Sequence, residues 1–168
     1  MTADAPMTES PPMTERPPMT ESPPLDEKLL RLVAGTRQGV LATIAADGRP
    51  QLSNVLYVWD AGQRTARIST TAGRVKARNL SRDPRAALHV TGRHFWQFAV
   101  AEGPVTLSAV AAEPGDEATS ELRVLHAAGE RVPDEAGFDR QMIAARRLVI
   151  RLHVRHVYGI ALDKPPGT

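Results

Sequence analysis

The chain has 168 residues, 42% of them hydrophobic, with no cysteine and a formal net charge of +2, which is room for one ordinary domain and not two. Without cysteine there are no disulfides, thiolate zinc sites, iron–sulfur clusters or cysteine nucleophiles. No apolar run approaches the roughly 18 residues of a membrane span, and the N-terminal residues lack the basic and apolar regions of a secretory signal, so a cytoplasmic protein with no membrane partner is expected.

Residues 7–24 are one hexapeptide written three times: MTESPP, MTERPP, MTESPP. Six residues with two prolines and no large apolar side chain cannot bury enough surface to offset their ordering entropy. Residues 1–24 are therefore expected to be a disordered tail, residues 25–162 the folded domain and residues 163–168 a short C-terminal tail. The tail carries Asp4, Glu9, Glu15 and Glu21 against Arg16, which concentrates positive charge in the body and favours anionic partners there.

Order is expected to begin with an amphipathic helix in LDEKLLRLVAG, where Leu25, Leu29, Leu32 and Val33 form one stripe and Gly35 ends it. Turn signals at Asp47-Gly48 and Asp60-Ala61-Gly62 then divide an apolar and β-branched stretch into strands at about 39–46, 50–59 and 64–71. AGRVKARNLSRDP changes period and predicts a helix of about two turns stopped by Pro84. Further strands are expected at 86–90 and 96–107, the second interrupted by Gly103-Pro104, then helices at 113–128 and 133–146 and a last strand at 148–160. About six antiparallel strands with a few connecting helices predict a mainly β fold, a small barrel.

Three stretches could carry chemistry. In Ser69-Thr70-Thr71-Ala72-Gly73-Arg74-Val75-Lys76-Ala77-Arg78-Asn79 a strand ending in hydroxyls passes through a glycine into a helix start bearing three cations and an amide. Free N–H groups, the helix dipole and charged side chains favour an anion there, phosphate above all; a solvated basic helix is the competing reading. Lys76 stands out because the chain has 18 arginines and only three lysines. In the strand after Pro50, Gln51, Ser53, Val55 and Tyr57 share one face, and Leu52, Asn54 and Leu56 the other. Both faces are then partly polar, which suits hydrogen bonding to a flat heteroaromatic ligand or an edge strand with a wet face. Trp96 and Phe98 could flank a planar ring or pack in the barrel, and Tyr158 is equally ambiguous.

Other chemistries lack support. The glycine-rich nucleotide motifs, H-E-x-x-H and G-x-S-x-G are missing. On one strand His153 and His156 would point to opposite faces, so no metal site is expected. Charge alone allows nucleic acid, but no recognised motif accompanies it and none is expected as a partner.

GVLATIAADGRPQLSNV, RVKARNLSRDPRA, AVAEGPV and HVYGIAL, in this order from about Leu25 to Ile160, resemble the split-barrel flavin family related to pyridoxamine 5′-phosphate oxidase, and within it the actinobacterial branch of F420H2-dependent reductases. The resemblance implies an FMN-binding split barrel of six strands, assembled as a homodimer with the cofactor in a groove between protomers. By matching motif positions, Ser69, Arg74, Lys76 and Asn79 would hold the cofactor phosphate with Arg78 close by. Gln51, Ser53, Asn54 and Val55 would line the ring, and Trp96 and Ala99 the far wall. FMN ends in one phosphate, whereas coenzyme F420 continues into a polyanionic tail, and the basic track Arg74, Lys76, Arg78 suits the longer anion. The implied activity is hydride transfer from reduced F420 to a small electron-poor acceptor, an activated C=C, C=N or quinone-like group. An FMN enzyme and a non-catalytic F420 or tetrapyrrole binder are the alternatives. No general acid stands out; Tyr57 or a water are the candidates for delivering a proton.

Overall fold

The computed structural model describes residues 25–129 and 132–162; both expected tails lie outside the described residues. Helix α1 (Glu27–Ala34) starts where the Asp26 carboxylate accepts from the backbone N–H of Lys28 and Leu29, and it buries Leu29, Leu30 and Val33. Two strands follow, β1 (Gln38–Ile44) and β2 (Pro50–Leu56), joined by a hairpin in which Gly48 takes a φ of 83°, a conformation that glycine adopts without steric cost. Next come β3 (Val58–Asp60), β4 (Thr65–Thr71), helix α2 (Val75–Arg82), β5 (Arg85–Thr91) and β6 (Phe98–Leu107). Helices α3 (Glu117–Ala127) and α4 (Glu135–Ala144) precede β7 (Arg147–His153) and β8 (His156–Ile160).

The strands form one antiparallel sheet in the order β2-β1-β5-β6-β7-β4-β3, with β8 also paired to β6. The fold is the mainly β split barrel that was expected, but its described strands number eight rather than six, because two expected long strands each break. The first break is at Tyr57: β2 pairs with β1, whereas β3 pairs with β4. The Tyr57 ring is 2% exposed and its backbone N–H donates to the Arg37 carbonyl at 2.9 Å. The second break falls at Val154-Arg155, where the chain leaves β4 and passes to the first half of β6.

Strand β6 is shared. Its residues 98–104 pair with β5 and 98–102 also with β8, whereas residues 105–107 pair with β7. Gly103-Pro104 marks this change of partner without ending the strand. A Cβ at Gly103 would lie 1.9 Å from the His153 carbonyl oxygen, so only glycine admits the crossing backbone. Inside the barrel Leu41, Ile68, Leu88, Val90, Ile150, Leu152 and Tyr57 form the main core, and α1 lies over β6 and β8. A second cluster, Leu122, Leu125, Met142 and Val149, packs the α3–α4 hairpin on the outside of β7 and β4. Arg151 anchors that hairpin through Glu121 and Glu117 at 2.5 and 3.0 Å.

Candidate functional site

Helix α2 begins at Arg74 with no side-chain cap and no acidic residue in its first turn. The earliest N–H groups of a helix have no partner within it, and here two cations stand beside them. Neither Arg74 nor Lys76 enters an ion pair among the described residues. Lys76 is half-buried, and burial, with the nearby Arg74 charge adding to it, lowers its pKa from the ordinary lysine value. An anion placed there would relieve both effects. Arg78 instead folds back, its guanidinium donating to the Gly73 carbonyl at 2.6 Å.

The buried residues beneath this turn connect it to β2. Asn79 donates from Nδ2 to Thr43 Oγ1 at 3.1 Å, Thr43 donates to Gln51 Oε1 at 3.2 Å, and Gln51 Nε2 donates to Ser53 Oγ at 3.0 Å. The two stretches singled out in the sequence, around Ser53 and around Lys76, are therefore joined by one hydrogen-bonded chain. Its middle member, Thr43, was not anticipated. The signal was present: Thr43 is a polar residue on the inward face that also carries Leu41, and both are fully buried.

Several expected site residues are placed otherwise. Asn79 is buried and donates one amide N–H to Thr43, which positions α2 from below. Ala99 has no exposed surface and belongs to the core, not to a pocket wall. Tyr57 donates its hydroxyl to the Val33 carbonyl at 2.5 Å and shares a hydrogen bond with Thr36. Burial raises the phenol pKa against the opposing Thr36 bond, which leaves Tyr57 a core residue and a poor proton donor. Asn54 and the mostly buried Val55 line a groove of about 460 Å³ with Gly39, His89 and Thr91 on the outside of β1 and β5. His89 and Thr91 also border a hollow of about 270 Å³ that holds Trp96. Asn54 and Trp96 thus share one outer face, and Arg74 and Lys76 line neither hollow.

A third place is a wider cleft. About 710 Å³ opens between β3, β4 and β7 on one side and α3 and α4 on the other. Ser69 is there, accepting a hydrogen bond from Arg147 Nη1 at 2.8 Å. Arg147 was missed because the last strand was expected to begin at Leu148; its proximity to Ser69 arises from the pairing of β4 with β7. The backbone N–H of Ala72 donates to the Arg146 carbonyl at 3.0 Å, which places this cleft beside the α2 turn.

Similar folds are found among solved structures. A protein named F420 reductase is 22% identical over 76% of this chain and 94% of its own, with a TM-score of 0.58. A conserved hypothetical protein, Rv2991 from Mycobacterium tuberculosis, is 23% identical over 93% of this chain and 96% of its own, at a TM-score of 0.61. A pyridoxamine 5′-phosphate oxidase-related, FMN-binding protein from Nostoc punctiforme is 18% identical over 78% and 77%, at 0.52. At such identities the likeness is one of fold. Sequence speaks more directly: the model of the pyridoxamine 5′-phosphate oxidase family matches residues 25–161, nearly the whole described domain, and the chain belongs to that family.

Proposed function

We propose that this protein is an F420H2-dependent oxidoreductase acting as a homodimer on a small electron-poor acceptor. The observation that carries the reading is the start of α2, an uncapped helix N-terminus beside Arg74 and Lys76 with no acid in its first turn. That donor set fits a phosphate diester: free N–H groups bind its oxygens and two cations balance its charge. Gln51 and Ser53, held from below by Thr43 and Asn79, would orient the ring by hydrogen bonds. A second protomer would bring the Asn54 and Trp96 face, separate in one chain, to the same cofactor. When bound, the reduced deazaflavin supplies a hydride. The chain's own contribution is to bind, orient and exclude water, with proton delivery left to solvent because Tyr57 is committed to Val33 and Thr36.

FMN is the second reading, and one contact favours it. With Arg78 tied to the Gly73 carbonyl, only Arg74 and Lys76 remain directed to other tasks, which suffices for a single phosphate. Titration of the purified protein with F420 and with FMN, followed by ligand fluorescence, separates the two. F420 binds at micromolar concentration and FMN more weakly; the reverse order overturns the assignment, and F420 binding without reduction of any conjugated acceptor identifies a carrier. Lys76→Ala weakens F420 binding by roughly 1.5 to 3 kcal/mol, the scale of a lost charge-assisted contact. An unchanged dissociation constant removes Lys76 from the site.

A further inference from the structure

Among the described residues, the 710 Å³ cleft between the sheet and the α3–α4 hairpin is lined by three arginines, Arg37, Arg67 and Arg147, and by no carboxylate. The arginines differ in what already holds them. Arg67 is neutralised by Asp60 at 2.7 Å and by Glu121 at 3.7 Å. Arg37 donates to the Ala128 carbonyl. Arg147 has only the Ser69 hydroxyl at 2.8 Å, and its Nε is shielded from solvent with no hydrogen-bond partner among the described residues. A guanidinium offers five donors in a planar fork, so most of this one remains unused in a half-buried place. The rest of the wall is apolar: Leu56, Val58, Leu122, Leu125, Phe138 and Met142 all contribute. The chain reaches Arg147 through Arg146, a non-glycine residue with a φ of 50°, a strained conformation that persists only where the surroundings enforce it.

From this arrangement we infer that the cleft binds a small apolar carboxylic acid, with its carboxylate on Arg147 and its hydrocarbon body against the α3–α4 hairpin. Charge complementarity selects the anion, since Arg147 enters no ion pair among the described residues and the described wall carries no acid. The cleft volume lies within the range of small-molecule sites, about 300 to 1,000 Å³, and an apolar wall with a few polar groups is their usual character. A bidentate Arg–carboxylate pair supplies both energy and orientation. Arg74 and Lys76 do not line the cleft, whereas Ser69 does, so the inference takes the cofactor phosphate to lie on the α2 turn and gives Ser69 to Arg147 instead.

Calorimetric titration of the protein with naphthalene-2-acetate and with its neutral counterpart, 2-(naphthalen-2-yl)ethanol, tests it. The acid binds at least about tenfold tighter than the alcohol, and Arg147→Met lowers acid affinity about 10- to 100-fold while leaving alcohol affinity unchanged. Should Arg147→Met melt at the assay temperature, Arg147→Gln, which keeps a donor for Ser69, takes its place. Amide chemical shifts on adding the acid move in Leu122, Leu125 and Met142 and not in Val75 or Lys76. Equal affinity for acid and alcohol, an Arg147 variant that binds the acid as the unmodified protein does, or shifts centred on α2 would each overturn the assignment.

Discussion

Three helices of this protein obey the rules of helix capping and one does not. Asp26, Asp116 and Asp134 accept backbone N–H groups at the starts of α1, α3 and α4, and each of these helices has a glutamate in its first turn. Asp116 is the fullest case. Its carboxylate accepts from Thr119 at 2.6 Å, Ala112 at 2.9 Å and Glu113 at 3.1 Å. Burial opposes ionisation there, but those N–H groups outweigh it and hold the carboxyl well below the usual carboxylate range. Helix α2 instead begins with Arg74 and Lys76, cations at the positive end of a dipole. The contrast separates three helices closed by aspartate from one left uncapped, and the proposed cofactor site rests on that difference.

Converting the exception to the rule has the largest expected effect. Arg74→Asp supplies a cap, stabilising the free protein by about 1 kcal/mol. It also replaces a cation with an anion, lowering F420 affinity by about 100-fold or more. Thermal melts and titrations on one preparation read both, and a variant that gains stability yet keeps its affinity would show that α2 is merely poorly capped. Next in size is Thr43→Val, which leaves the buried Asn79 amide without its acceptor. It should lose about 2 kcal/mol in urea unfolding, and Asn79→Leu in the same chain should recover part of that loss. A Thr43→Val protein as stable as the parent would detach the relay from the open helix.

The smallest effect belongs to the capped side. Asp116→Ala costs about 1.5 kcal/mol. Because folding depresses the Asp116 pKa, its contribution is present above the unfolded carboxyl pKa of about 4 and is lost as pH falls through the lower folded value. The stability difference between parent and Asp116→Asn in urea titrations therefore shrinks with acidification below about pH 4. A difference that stays constant would mean the cap does not depend on charge.

Much of this was legible before any coordinates. The helices, the antiparallel strands and the cationic α2 turn followed from periodicity, Gly48, Gly73 and Pro84. The two strand breaks did not, because Tyr57 and Val154 continue the apolar pattern and only the pairing shows that the chain changes partners there. Within the site, motif position assigns Asn79 and Ala99 to the ligand, and the pairing and packing that bury both side chains are not readable from the motif. Arg147 escaped notice for a related reason: its meaning lies in Ser69, 78 residues away in sequence and 2.8 Å away in space.

The strand shared at Gly103 has a consequence for how the barrel comes apart. With residues 98–104 paired to β5, 98–102 to β8 and 105–107 to β7, one continuous strand carries the pairings of both halves. Losing either set of pairings loosens the backbone that the other set uses, so the α2 turn and the helical hairpin are coupled through this one strand. Local opening is then expected first at the edge strands, β2, β3 and β8, each of which pairs with a single neighbour.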